Sequence, residues 1–163
     1  MDQGVQDQIL ENIKYHLMWI WGQEEGFLKR GKEGMLVITN VRIAFVVKTK
    51  MKYRVHEDYS LRQLRRFKDG ESVLMPIEQY TEEDLQSDLA ESDKNIDIPF
   101  SKIIKIGQET KRWGTVLKVK FAEKRGGKGY KFMIVKGWVK YPLKDPVSFQ
   151  QFDWKPIIEI TRI

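Results

Sequence analysis

The chain has 163 residues, 41% apolar and 12% aromatic, with 29 Lys and Arg against 23 Asp and Glu and a formal net charge of +6. This apolar share supports a real core and excludes a disordered chain, and the length suits a single domain over residues 1–163. The absence of cysteine excludes disulfides, thiolate catalysis and cysteine-based zinc sites, and the longest apolar runs, 16–21 and 43–47, fall far short of the ~18 residues of a membrane span.

Residues 1–14 are polar and acidic, so no secretory signal is expected and a cytoplasmic location follows as the expectation. The charge is unevenly divided. Residues 71–98 hold nine Asp and Glu against Lys94 alone, whereas residues 99–163 hold fifteen Lys and Arg against five Asp and Glu. One surface should therefore attract anions while another repels them.

In residues 7–21, Ile9, Ile13 and Leu17 recur four apart, with Leu10 and Met18 beside them, which predicts an amphipathic N-terminal helix. Residues 24–31 read as a first strand or its approach. Residues 34–47 predict a hairpin turned by Thr39-Asn40, whose side chains bond backbone locally. Gly34 marks a bulge or a close approach. The second arm is almost wholly apolar, as expected of a strand covered on both faces.

Residues 51–97 read as a long, partly helical insertion between strands. Before and into it, Lys48, Lys50, Lys52 and Arg54 alternate, which on a strand places four cations on one face. Such a row is either a solvated edge or an anion-binding ridge. A helix is predicted over 58–70, capped by Asp58 or Ser60, with Leu61, Leu64 and Phe67 as its apolar stripe and Gly70 as its stop. A second helix starts at the cap Thr81.

Strand character returns over 96–106, with Pro99 near its start or in a bend. Strands over 115–122 and 130–135 follow. Leu117, Val119 and Phe121 alternate with Lys118 and Lys120; Tyr130, Phe132 and Ile134 alternate with Lys131 and Met133. Residues 145–163 are predicted helical, beginning at Asp145-Pro146. Pro156 fits only if a second helix, from Asp153, holds it in the first turn.

The pattern Gly34-x-Leu36-x-Ile38-Thr39-Asn40-x-Arg42-Ile43-x-Phe45 resembles the hairpin signature of pleckstrin-homology-like domains of the GRAM and bacterial-PH type, and residues 100–106 echo a later segment of those domains. The resemblance implies an α+β fold: an antiparallel β-barrel or sandwich with a C-terminal helix. Here the N-terminal helix 7–21, the insertion 51–97 and the segment 145–163 would be attached to it. It also implies a non-enzymatic binding module, since such domains serve as binders of lipid, peptide or ubiquitin or as scaffolds. In many of them a phosphoinositide sits among basic residues of the first strands. Lys29, Arg30 and Lys32 lie near that region, without the family's full lipid motif, and Arg42 is expected to be structural.

No chemistry is visible in the residues themselves. His16 and His56 have no metal-ligand spacing, and there is no nucleophile elbow, phosphate loop or dinucleotide fingerprint. No enzyme, metal or cofactor is expected. The best ligand candidate is the glycine-rich turn with Lys124, Arg125 and Lys128, where backbone amides can approach an anion, extended by Lys118, Lys120 and Lys131. A secondary patch comprises Lys48, Lys50, Lys52, Arg54, Arg62, Arg65 and Arg66. The expected partner is an anionic phospholipid surface, reached as a peripheral membrane protein, or an acidic protein. The alternatives are single-stranded nucleic acid, stacked on Trp113, Trp138 and Tyr141, and a scaffold role toward an acidic or ubiquitin-like protein.

Overall fold

A computed structural model describes residues 10–26, 29–138 and 146–162. Among them the strands are β1 (Ile13–Glu24), β2 (Gly31–Thr39), β3 (Arg42–Val46), β4 (Ile96–Pro99), β5 (Ile103–Lys111), β6 (Gly114–Glu123), β7 (Gly126–Trp138) and β8 (Pro146–Phe149). The helices are α1 (Tyr53–Asp69), α2 (Glu82–Glu91) and α3 (Lys155–Thr161). The fold is α+β and every strand pair is antiparallel. The order is β4-β3-β2-β1-β7-β6-β5, with β8 on β7. The ladder is open rather than closed as a barrel: β4 and β5 are its two edges, separated in the chain by one 3-10 turn, Phe100–Lys102.

The β2–β3 hairpin forms as its sequence predicts. Thr39 Oγ1 accepts the amides of Val41 and Arg42, both at 3.0 Å, and closes the turn. Alternation then sends Ile43 and Phe45 to one face of the sheet and Ala44 and Val46 to the other, and both faces are covered. The inner core gathers residues from β1 through β7 around Trp154, Ile157 and Ile158. The outer core packs Met18, Met35, Val37, Ala44 and Val46 against Tyr59, Ile77, Tyr80 and Leu85 of the 51–97 segment. That segment therefore covers the outside of β1, β2 and β3, while its Phe67, Val73 and Leu74 reach the inner core.

Residues 13–21 of the expected N-terminal helix lie in strand β1; residues 7–9 lie outside the described residues. Steps of four also keep one face of a regular strand, and a register shift between Ile13 and Tyr15 sets Ile13 against the outer core and Leu17 in the inner one. A bulge follows. Leu17 pairs with Leu36 and Ile20 with Gly34, so Met18 and Trp19 together oppose Met35, and Trp19 takes a left-handed φ of 56°. β7 pairs with β1 only from Ile20 onward. Upstream of that fork, the 51–97 segment supplies the missing partners. Met75 accepts the His16 amide at 3.0 Å, and the Tyr59 hydroxyl lies within reach of the His16 and Met75 carbonyls.

Helix α1 starts five residues earlier than expected, after Lys52, which gives no side-chain cap. Its buried face is Tyr59, Ser60 and Gln63, while Leu61 and Leu64 stand 52% and 39% exposed. Leu61 and Leu64 of the expected stripe are thus turned outward, because Tyr59 and Gln63 bond β1 from that helix face, while Phe67 packs against the inner core. Gly70 ends the helix at φ 72° as expected, and Thr81 and Asp84 form a reciprocal capping box on α2. Asp88 fastens α2 from within, accepting from Thr49 Oγ1 at 2.6 Å, the Lys50 amide at 3.1 Å and Tyr80 Oη at 2.7 Å.

Many acids of the 71–98 stretch are thus consumed internally. Asp97 at 3.0 Å and Glu11 at 2.7 Å both pair with Arg42, tying the strand before the insertion to the strand after it. The segment 145–163 is also corrected. Pro146–Phe149 is strand, not helix, and only Lys155–Thr161 is helical, with Pro156 in its first turn.

Candidate functional site: a basic mouth and a lysine face

Strand parity decides where each cation goes. On β7, Lys128 precedes Tyr130, Phe132 and Ile134 by steps of two, and the last three belong to the inner core. On β6, Lys118 and Lys120 alternate with the inward Leu117, Val119 and Phe121, and Lys131 pairs with Lys118. Lys128 is therefore on the opposite face of the sheet from Lys118, Lys120 and Lys131. Lys124 and Arg125 occupy the exposed β6–β7 turn. The six expected anion ligands do not form one patch.

Lys128 belongs to a depression of about 520 Å³ at the end of the inner core, floored by Gly22, Phe45 and Tyr130. A Cβ at Gly22 would lie 2.5 Å from the Phe45 ring, and one at Gly34 would lie 2.6 Å from the Val46 carbonyl oxygen. The two glycines are what let Phe45 lie across this end of the sheet. Lys29, Arg30, Lys32, Lys94 and Lys128 line the mouth, against the carboxylates of Glu24 and Asp93.

Glu24 holds two of these cations, Lys29 at 3.2 Å and Lys128 at 3.4 Å. Burial alone would raise the Glu24 carboxyl, but hydrogen bonds from Lys29 and Lys128 and their charges outweigh it and lower its pKa. Arg30, Lys32 and Lys94 have no acidic partner among the described residues. Such an arrangement offers three uncommitted donors over an aromatic floor, with two more held in position. Lys94 was not legible as a ligand because it stands alone in an acidic stretch; its place just before β4, beside β3, is the signal that locates it.

The outer lysines face a different hollow. Lys118 pairs with Glu109 at 3.0 Å and Glu25 at 3.9 Å, which raises its pKa, with the Glu109 hydrogen bond as the main cause. Lys120 stands opposite Lys105 on β5.

The secondary patch is dispersed. The chain after β3 is irregular and Arg54 lies in α1, so Lys48, Lys50, Lys52 and Arg54 share no strand face. Asn95 bonds the Lys48 amide at 2.8 Å and its carbonyl at 2.7 Å, and Lys50 pairs with Glu91. Arg62 pairs with Asp58 at 3.3 Å and Arg66 with Glu71 at 3.6 Å, whereas Arg54 and Arg65 are exposed on α1.

Trp113 is 48% exposed and packs edge-on against Phe149; the Trp138 side chain and Tyr141 lie outside the described residues. No group of metal-ligating side chains occurs among the described residues, and no described helix is long and apolar enough to cross a membrane. Compared with known proteins, the chain matches no family model and no curated sequence.

Proposed function

We propose that this chain is a non-enzymatic binding module of the pleckstrin-homology/GRAM-like kind that holds an anionic, phosphate-bearing ligand at the basic mouth. Its setting is the surface of an anionic phospholipid membrane, with an acidic protein surface as the second choice of partner. The observation that carries this reading is the concentration of Lys29, Arg30, Lys32, Lys94 and Lys128 around one depression. Arg30 can grip a phosphate through two parallel N–H donors, while the lysines supply mobile point charge. Glu24 keeps Lys29 and Lys128 in place without neutralising the rest. The aromatic floor lowers the local dielectric, so each charged contact gains strength over its value in water.

Co-sedimentation with vesicles of phosphatidylcholine alone, with added phosphatidylserine, and with added phosphoinositide tests the reading. Binding is expected only to the anionic vesicles and is expected to be lost in Arg30→Glu/Lys32→Glu. Failure of the wild-type chain to bind any vesicle, or equal binding by the variant, removes the proposal. Preference for an oligonucleotide with a steep salt dependence would replace it with nucleic-acid binding.

A further inference from the structure

The outer surface of the sheet is divided. Over β1, β2 and β3 it is buried beneath the 51–97 segment. Over β5 and β6 it carries a hollow of about 300 Å³ bounded by Lys105, Lys118, Lys120, Glu25 and Glu109, with Gly107 on its floor. This hollow lies on the face opposite to the mouth and shares none of its lining residues.

Three features of the hollow go beyond a solvated strand. First, Lys105 stands directly opposite Lys120, and Lys118 directly opposite Lys131. Like charges facing each other across neighbouring strands are unfavourable. Glu109 and Glu25 relieve the second pair through Lys118, but neither Lys105 nor Lys120 has an acidic partner among the described residues. Second, Gly107 sits in mid-strand with no structural reason to be glycine. Its φ is not left-handed, and a Cβ there would meet nothing within 4 Å. Glycine in a strand interior weakens it and marks places where a ligand comes close to the backbone. Third, the hollow is polarised along β5: Lys105 lies two residues to one side of Gly107 and Glu109 two residues to the other.

A uniformly anionic ligand would satisfy the Lys105–Lys120 end and be repelled by the two carboxylates. Ionised carboxylates are pure acceptors, so they call for hydroxyl or N–H donors. We infer that this hollow is a second binding site, independent of the mouth, for a phosphorylated polyol: the phosphate ester lies between Lys105 and Lys120, the body rests on Gly107, and its hydroxyls donate to Glu109 and Glu25. The volume, at the lower end of small-ligand pockets, suits a ligand of that size. The same chemistry occurs in a free sugar or glycerol phosphate and in a lipid headgroup.

The test follows the amide resonances of the wild-type chain during titration with glycerol 3-phosphate and, separately, inorganic phosphate. Saturable shifts are expected at Gly107, Lys105 and Lys118, with glycerol 3-phosphate binding more tightly than phosphate. Gly107→Val fills the floor with a side chain that suits a strand; it is expected to abolish these shifts while keeping or raising the thermal midpoint. Lys105→Gln/Lys120→Gln leaves the backbone unaltered and should weaken binding by about tenfold. Arg30→Glu/Lys32→Glu should not change it, so failure of the mouth reading and failure of this one are separable.

Phosphatidylinositol and phosphatidylglycerol vesicles, tested in the Arg30→Glu/Lys32→Glu background so that the mouth does not contribute, distinguish the sources. Sedimentation lost in Gly107→Val assigns the lipid headgroup, and binding of the soluble ester alone assigns a free metabolite; either sustains the site. Absence of saturable shifts at Gly107, their persistence in both variants, or equal affinity for inorganic phosphate overturns it.

Discussion

The side chain of Gln63, in the middle of α1, hydrogen-bonds both backbone groups of Met18: its Oε1 accepts the amide at 2.7 Å and its Nε2 donates to the carbonyl at 3.0 Å. A glutamine thus does at one residue what a neighbouring strand would do, at the bulge where β2 passes over Met18 and β7 has not yet joined. Gln63→Leu keeps the volume but leaves two buried backbone groups unpaired. The expected loss is about 2–4 kcal/mol, read as a lower urea midpoint with an unchanged slope.

His16 is fully buried, and its Nδ1 accepts the Ile77 amide at 3.0 Å. The neutral ring therefore carries its proton on Nε2, which has no hydrogen-bond partner among the described residues, and the imidazole packs perpendicular to the Tyr80 ring, 5.1 Å between centroids. Burial lowers its pKa from 6.5 to about 3. The unfolded chain then binds the proton more tightly than the folded one, so this contribution to stability is complete above pH 6.5 and is lost progressively as pH falls toward 3. At about 1.4 kcal/mol per tenfold change in proton affinity, the loss approaches roughly 5 kcal/mol at the acid end. Denaturation midpoints at pH 4, 5.5 and 7 should fall in that order toward acid, and His16→Asn, which keeps an acceptor for Ile77, should flatten the slope.

Phe45 and Gly22 are fitted to each other. Gly22→Ala drives a methyl group into the Phe45 ring, 2.5 Å away, and should destabilise the chain by about 1–3 kcal/mol. In Gly22→Ala/Phe45→Leu the clash is removed. The double variant is expected to lose less than the sum of the single losses, an interaction that a double-mutant cycle by chemical denaturation would measure. Strict additivity would show that the ring does not lie over Gly22.

The opposite placement of Lys128 and Lys118 can be read in binding. Lys128→Ala should weaken a phosphoinositide vesicle at the mouth by about fivefold to tenfold, the worth of one charge-assisted contact. Lys118→Ala should leave that affinity within about twofold, because only screened, long-range charge is removed. Vesicle titrations of the two variants at one salt concentration decide it, and equal losses would refute the assignment of faces.

Where a strand has one buried face, its sequence declares it. The alternation of β6 and β7 was legible, and the same parity carried two residues back from Tyr130 places Lys128 inside. Where both faces are covered, the signal weakens. His16, Leu17 and Met18 are buried in succession, which erased the two-residue period of β1 and left Ile13 and Leu17 to imitate a helix. α1 was legible as a helix but not in its orientation, because Tyr59 and Gln63 face inward for their hydrogen bonds to β1 while Leu61 and Leu64 face water. The mouth was only half legible. Lys29, Arg30 and Lys32 adjoin in sequence, but Lys94 and Lys128 reach it through strand pairing that no local pattern encodes.

The fork between β1 and β7 has a further consequence for how this chain can fail. The inserted segment leaves after β3 and returns at β4, its paired neighbour, so the part of it that covers the outer face can open while the sheet keeps its ladder and Phe67 and Val73 stay on the inner core. What it would uncover is the bare flank of β1 at residues 16–18, with amides and carbonyls aligned for another strand. Acid, by charging His16, loosens the cover at that very place. Mild acidification should therefore favour self-association through a newly opened strand edge before the sheet itself melts.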